Sequence, residues 1–278
     1  MPSPDLPSSL PLFVPADRPE RIAKAMASGA DAIIVDLEDA VAPASKELAR
    51  TGLAAALQAL GALQTPVFIR INAPGTPWHA DDLAVVAGLP LAGLVLPKAE
   101  TVRDIAQARA ALAPGLAVWA LIETAAGLAA ARAIAGSADR LLFGSIDFAA
   151  DLGCAHSREA LLLARLEIVL ASRLGNLPGP IDGVTVSVKD DTEIEADARY
   201  AASLGFSGKL LIHPAQITPA RRGFAPSGDE IAWAERILAA SPDGSAIALD
   251  GAMVDAPVIA RARAIINRRN SLSNGTRP

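Results

Sequence analysis

Residues 117–147 read AVWALIETAAGLAAARAIAGSADRLLFGSID. Two apolar runs, 117–123 and 140–146, flank an alanine-rich stretch at 127–136. Each run is almost continuously apolar, as a parallel strand covered on both faces must be, and the residues between them are good helix formers. This is a strand–helix–strand unit, and the alternation continues in both directions. Upstream lie apolar runs at 11–16, 32–37, 67–72 and 93–97, and downstream at 181–187 and 208–213. Amphipathic stretches at 18–28, 45–63, 102–113, 157–174 and 194–204 separate them. Ser28-Gly29 and Leu204-Gly205 read as helix stops and Thr101 as a helix cap.

Eight such units in 278 residues predict an α/β chain folded as a (β/α)8 TIM barrel. A doubly wound open sheet is the rival, but no G-x-G-x-x-G turn follows the first strand. The stretch 151–180 is too long for a plain loop and must carry a helix. After the eighth run, 214–226 reads as loop. Helices at 229–240 and 256–268 follow, separated by the turn pairs Asp243-Gly244 and Asp250-Gly251. The expected organisation is a barrel over 1–226 and a C-terminal helical extension over 227–278.

Composition narrows the function classes. The chain is 51% hydrophobic, 4% aromatic and 20% charged, with a net charge of −5. That apolar content excludes a disordered chain, and the mild acidity argues against a nucleic-acid partner. Cys154 is the one cysteine, so neither an internal disulfide nor a multi-cysteine zinc site can form. His79, His156 and His213 lack zinc-ligand spacing. Residues 1–10 lack the charged start of a signal peptide, and no window supplies about 18 uninterrupted apolar residues for a membrane span. The expectation is a soluble cytoplasmic protein with no membrane partner.

The polar residues that end the runs carry the chemistry. In a barrel, catalytic groups gather at the C-terminal strand ends. Here the runs end in Asp17-Arg18, Asp36-Leu37-Glu38-Asp39, Arg70 with Asn72, Lys98, Glu123, Asp147 and His213. Residues two apart share a face of a strand, so Asp36 pairs with Glu38 and Arg70 with Asn72. A rim of solvated charges is the plain alternative. Glu123 and Asp147 end neighbouring runs; two carboxylates held close repel unless a cation lies between them, and two carboxylates with water and substrate oxygens suit Mg2+. The competing reading is an ordinary ion pair of these carboxylates with Arg70 or Lys98. Arg70, inside an apolar run, needs an anionic partner: a substrate carboxylate, Glu38, or Glu123.

Other residues carry less. Lys98 reads as a Schiff-base lysine or an ion-paired rim residue beside Glu100. Ser145 lacks the G-x-S-x-G elbow. Cys154 reads as a lone buried thiol, and His213 as either a structural or a site residue. Arg18, Arg21, Lys24 and Lys46 either receive an anionic ligand or form a solvated helix face.

These stretches also carry a family signature: FVPADRP at 13–19, DAIIVDLEDAV at 31–41, IRIN at 69–72, Pro97-Lys98, LIET at 121–124, Gly144 to Asp147, GFSGK at 205–209, IHPAQ at 212–216 and DGAMVD at 250–255. The chain resembles, over almost its whole length, the citrate lyase β-subunit-like family, relatives of malyl-CoA and citramalyl-CoA lyases. Ala16 stands where many relatives have glycine. The resemblance implies a TIM barrel of the phosphoenolpyruvate/pyruvate type, assembled as a homotrimer or homohexamer. It implies Mg2+ held by Glu123 and Asp147, a substrate carboxylate held by Arg70, and contacts from Gly144, Ile146 and Asp147. Asp36 and Glu38 become groups that orient Arg70 and the metal's waters. Asp255 becomes an acid/base that reaches from the C-terminal segment into a neighbouring subunit's site.

The implied reaction is Mg2+-dependent cleavage of a 3-hydroxy-3-carboxyacyl-CoA, such as malyl-, citramalyl- or citryl-CoA, to an acyl-CoA and a 2-keto acid. The alternatives are an aldolase on a free hydroxy-keto acid, a citrate lyase β subunit working only in a multienzyme complex, and a barrel that has lost its chemistry.

Overall fold

A computed structural model describes residues 9–61, 63–249 and 252–274. The alternation of side chains along each strand builds the wall of the molecule. Eight strands run parallel in sequence order: β1 (Pro11–Pro15), β2 (Ala32–Asp36), β3 (Val67–Arg70), β4 (Gly93–Leu96), β5 (Ala117–Ile122), β6 (Arg140–Phe143), β7 (Ile181–Asp182) and β8 (Gly208–Lys209). Parallel bridges Ser9↔Gly208 and Leu12↔Leu211 join β8 back to β1 and close the barrel. Gly208 is required at this closure, because a Cβ there would collide with the Ser9 carbonyl. The fold expected from the sequence is the fold observed.

One set of alternating residues fills the interior, including Ile34, Phe68, Val95, Trp119, Leu121, Leu142, Ile181 and Leu210. Phe68 and Trp119 stack at 3.8 Å between ring centroids. The other set, with Ile33, Val35, Ile69, Leu94, Val118 and Leu141, faces the helices. This phase decides which polar residues face the mouth. Two residues beyond Ile34 comes Asp36; the same step leads from Phe68 to Arg70, from Leu121 to Glu123 and from Leu142 to Gly144.

The helices are α1 (Pro19–Met26), α2 (Lys46–Ala59), α3 (His79–Val86), α4 (Val102–Ala111), α5 (Ala125–Ala135), α6 (Ser145–Leu152), α7 (Leu162–Leu174), α8 (Asp191–Leu204) and α9 (Ile217–Phe224). Thr101 caps α4 in a capping box with Asp104, and Gly205, at φ 103°, ends α8. Short β7 and β8 are tied to α7 by a buried ion set: Asp182 accepts from Arg165 at 2.9 Å and from Lys209 at 3.3 Å.

Three boundaries differ from the sequence reading. The sixth run stops at Phe143, because Gly144 leaves the extended conformation and Ser145 starts α6. Asp147 and Ile146 therefore sit on a helix. The stretch read as loop at 214–226 contains α9, whose Ile217, Ala220 and Phe224 bury one face. Helix α3, short and rich in aspartate, was not evident in the sequence.

Beyond the barrel come α10 (Gly228–Ala240), a hairpin of β9 (Ile247–Leu249) and β10 (Ala252–Val254), and α11 (Ala256–Asn274). Ala234, Ile237, Val254, Ile259, Ala262 and Ile265 form a separate apolar cluster there. The expected turn pair Asp250-Gly251 lies outside the described residues.

Candidate active site

Asp36 ends β2 pointing inward and is 1% exposed. Its carboxylate receives both arms of the Arg70 fork, Nε at 2.7 Å and Nη2 at 2.6 Å, and the backbone N–H groups of Glu38 (2.9 Å) and Ala40 (3.0 Å). Burial alone would raise its pKa, but the Arg70 charge and these four donors hold it below the usual carboxylate range. Arg70 thus has a bidentate partner in the chain itself, Asp36, which the apolar run around Arg70 did not single out, and it also pairs with Glu38 as the sequence suggested, but not with Glu123. The remaining arm, Nη1, reaches Glu38 Oε2 at 3.0 Å and Asp39 Oδ2 at 3.5 Å. The guanidinium also lies 4.8 Å over the Phe13 ring.

Glu38 bridges to the next element, accepting from Lys98 Nζ at 2.8 Å. Burial nevertheless keeps its pKa above the usual value. Lys98 pairs with Glu38 rather than with Glu100. Its backbone is in the left-handed region at φ 46°, rare for a residue with a side chain. That conformation aims its N–H at Glu123 Oε1, 2.8 Å away, while its Nζ stays 3.8 Å from the same oxygen. Local strain of this kind, worth about 1–3 kcal/mol, persists where surrounding structure imposes it.

Glu38 Oε2 lacks a hydrogen-bond partner but has the Arg70 ion pair; one oxygen of Glu123 has neither. Glu123 is 1% exposed, and it is Oε2 that has no hydrogen-bond partner. Burial pushes its pKa up to about 8, and the negative charges of Glu38 and Asp147 push in the same direction. Gly144 lies against it, where any Cβ would collide with Oε2 and with the Glu123 Cβ. An orphaned carboxylate oxygen, a second carboxylate close enough to repel it, and a backbone pared to glycine beside it fit a small hard cation. Among the described residues no three His, Cys, Asp or Glu side chains gather as a full chelating set, which disfavours a closed structural metal site. Gly144→Ala should displace Glu123 and reduce turnover about 100-fold, with a small change in melting temperature, in steady-state kinetics and a thermal melt.

A second tier holds the loop after β2. Lys46 Nζ donates to the carbonyls of Leu37 (2.8 Å) and Glu38 (2.7 Å), and Asn72 Nδ2 donates to Leu37 O and to Asp82 Oδ2. Arg50 pairs with Asp82 at 3.2 Å. Lys46 is therefore buried, not part of a solvated basic face, whereas Arg18, Arg21 and Lys24 are exposed. Asp82 escaped the sequence reading because α3 did.

The remaining sequence candidates fall elsewhere. Asp147 is half-buried in the first turn of α6, and Ile146 beside it is 46% exposed. Ser145 is buried against His156 Nε2 at 3.0 Å. His213 takes the structural role: its ring Nδ1 accepts from the Ala215 N–H and caps a turn. Cys154 is half-buried rather than the buried thiol expected from the sequence. Asp255 immediately precedes α11, its Oδ1 accepting from Val258 N at 3.4 Å, and the contacts that knit the Arg70 cluster do not include it.

Known proteins are similar to this chain over most of its length. The model of the family described as HpcH/HpaI aldolase/citrate lyase matches residues 10–214. A citrate lyase subunit beta-like protein of Mycobacterium tuberculosis is 40% identical over 273 residues, covering 92% of this chain and 94% of the relative. A (3S)-malyl-CoA thioesterase of Cereibacter sphaeroides is 34% identical over 266 residues, covering 94% and 92%. The crystal structure of M. tuberculosis CitE in complex with magnesium, acetoacetate and coenzyme A is 37% identical, with a TM-score of 0.83 over 95% of this chain and 98% of that one. This chain belongs to the HpcH/HpaI aldolase/citrate lyase family.

Proposed function

We propose that the protein is a Mg2+-dependent carbon–carbon lyase. It cleaves a 3-hydroxy-3-carboxyacyl-CoA of the malyl, citramalyl or citryl type to an acyl-CoA and a 2-keto acid. The observation that carries the reading is Glu123: a buried carboxyl with one unpartnered oxygen, beside a tethered arginine, at the mouth of the barrel. The CitE relative crystallised with magnesium, a small keto acid and coenzyme A supports the same ligand classes.

Glu123 and Asp147 would hold the Mg2+, which when bound supplies a positive charge that draws electrons from the oxygens of the keto-acid portion. Arg70 binds the substrate carboxylate through Nη1, which exchanges its contacts to Glu38 and Asp39 for the ligand while Nε and Nη2 stay fixed by Asp36. Pre-anchoring leaves little side-chain freedom to lose on binding. Glu38 and Lys98 hold the far side of the pocket and keep Arg70 from turning away. In cleavage, the bond between the hydroxyl-bearing carbon and the acyl α-carbon breaks. Its electron pair passes to the α-carbon, the hydroxyl gives its proton to water, and the oxygen becomes the keto oxygen. Asp255 of a neighbouring copy delivers a proton to the α-carbon, and removes it in synthesis. This role makes the working form a homotrimer or homohexamer.

The test offers purified protein with Mg2+ acetyl-CoA or propionyl-CoA with glyoxylate, pyruvate or oxaloacetate, and the corresponding thioesters in reverse. Turnover lost to a chelator supports the lyase; no reaction with any pair sinks it. The thioesterase relative gives a second reading, thioester hydrolysis, which releases free CoA and a hydroxy acid in place of an acyl-CoA and a keto acid. Asp255→Ala should lower turnover about 10²–10⁴-fold while calorimetry still detects Mg2+ and keto-acid binding. Loss of that binding would make Asp255 a ligand instead.

A further inference from the structure

Gly144 is the N-cap of α6, the place where Ser, Thr, Asp or Asn usually offers a side-chain oxygen to the first free N–H groups of a helix. The close approach of Glu123 demands glycine there, and α6 accordingly has no side-chain cap. Asp147 stands three residues after this cap position. Among the described residues no hydrogen bond or ion pair holds its carboxylate, so the backbone of the first turn sets where it lies. Phe148 and Ala149 bury the next part of the helix. The first turn itself is tied by Ser145. Ser145 is 1% exposed and shares a hydrogen bond with His156 Nε2 at 3.0 Å. It has no room to swing aside, because the chain leaving β7 passes so close that a Cβ on Gly183 would collide with its hydroxyl. The helix's own end delivers the partner. Gly153 turns left-handed at φ 69°, and the Cys154 N–H returns to Ala149 O at 3.0 Å. That reversal sends the chain back along α6, so His156, three residues beyond Gly153, meets the first turn while remaining exposed.

We propose that Ser145 and His156 are positioning residues for Mg2+. Their hydrogen bond stands in for the missing cap and keeps Asp147 where it and Glu123 can share one ion. The role rests on the reading that these two carboxylates hold the metal. Neither Ser145 nor His156 acts on the substrate; both work through the backbone of α6. The arrangement follows from the site's own demand. The glycine that Glu123 requires removes the ordinary cap, and the residue next to it supplies a different tie, directed away from Glu123 towards the end of the same helix.

The test is the Mg2+ dissociation constant of the substrate-free full chain by titration calorimetry, with a thermal melt of each metal-free variant. Ser145→Ala and His156→Ala should each weaken Mg2+ binding about tenfold. The double variant should bind no more weakly than either single one, because both substitutions remove the same bond. His156→Ala, at an exposed position, should melt close to the wild type. A tie that served only the fold would lower the melting temperature and leave the Mg2+ constant unchanged, and that result would overturn the proposal. So would single losses that multiply in the double variant. A wild type that binds no Mg2+ would sink the metal reading and the positioning role with it. Wild-type binding matched by both single variants would sink the positioning role alone.

Discussion

Glu123→Gln abolishes Mg2+-dependent turnover, by at least about 10³-fold, and at pH 8 raises the melting temperature of the metal-free protein. Both effects come from the same atom. The amide keeps the shape and removes the charge that would hold the cation. The stability effect follows from proton linkage. Burial raises the Glu123 pKa from 4.5 to about 8, so the folded state binds a proton that the unfolded chain has released. Its contribution is fully present below about pH 4.5 and is lost as the pH climbs towards 8. The glutamine has no such loss, and the expected gain at pH 8 is on the order of 2–4 kcal/mol. Melting curves between pH 5 and 8, without and with Mg2+, decide it. An inactive variant that is also less stable at pH 8 would mean that Glu123 is an ordinary structural carboxylate.

Arg70→Ala is the largest expected stability loss. It strands Asp36, which is 1% exposed, and leaves Glu38, which is 5% exposed, with Lys98 as its remaining ion partner. Removing one member of a buried ion pair costs about 3–5 kcal/mol, which for a chain of this size lowers the melting temperature by roughly 10 °C. Asp36 titrates low in the folded state, so its share of stability is present at neutral pH and lost as the solution is acidified. The penalty of Arg70→Ala should therefore be larger at pH 7 than at pH 4. Substrate affinity should fall with it, because the carboxylate loses its fork. Arg70→Ala with Asp36→Ala should recover part of the stability and none of the activity. A single variant that melts like the wild type at pH 7 would show that the cluster is solvated.

The barrel was legible because each of its strands is a run of apolar residues between helical stretches, and the phase of those runs sends Asp36, Arg70 and Glu123 to one mouth. The family resemblance read from FVPADRP, DLEDAV and LIET agrees with the comparisons. What escaped the sequence is three-dimensional. Nothing in the chain order says that Arg70 would spend two of its donors on Asp36, or that Lys98 would turn left-handed to aim its backbone at Glu123. Lys46 looked like a surface cation because it opens an amphipathic helix, yet it is drawn inward by two carbonyls left open where β2 ends. Asp147 continued an apolar run in sequence, and only the turn at Gly144 moves it onto α6.

The wall of the barrel is not equally strong all the way round. From β1 to β6 neighbouring strands pair over three to five residues, whereas β7 and β8 are two residues long and β8 meets β1 through isolated bridges. The cluster around Arg70 stands on β2 to β5, the well-laced arc. Thermal breathing of the molecule should therefore start at the β6–β7 junction, joined only by Leu142↔Ile181 among the described residues, outside the arc that carries the Arg70 cluster. The chain can flex there without loosening the side chains of the Arg70 cluster.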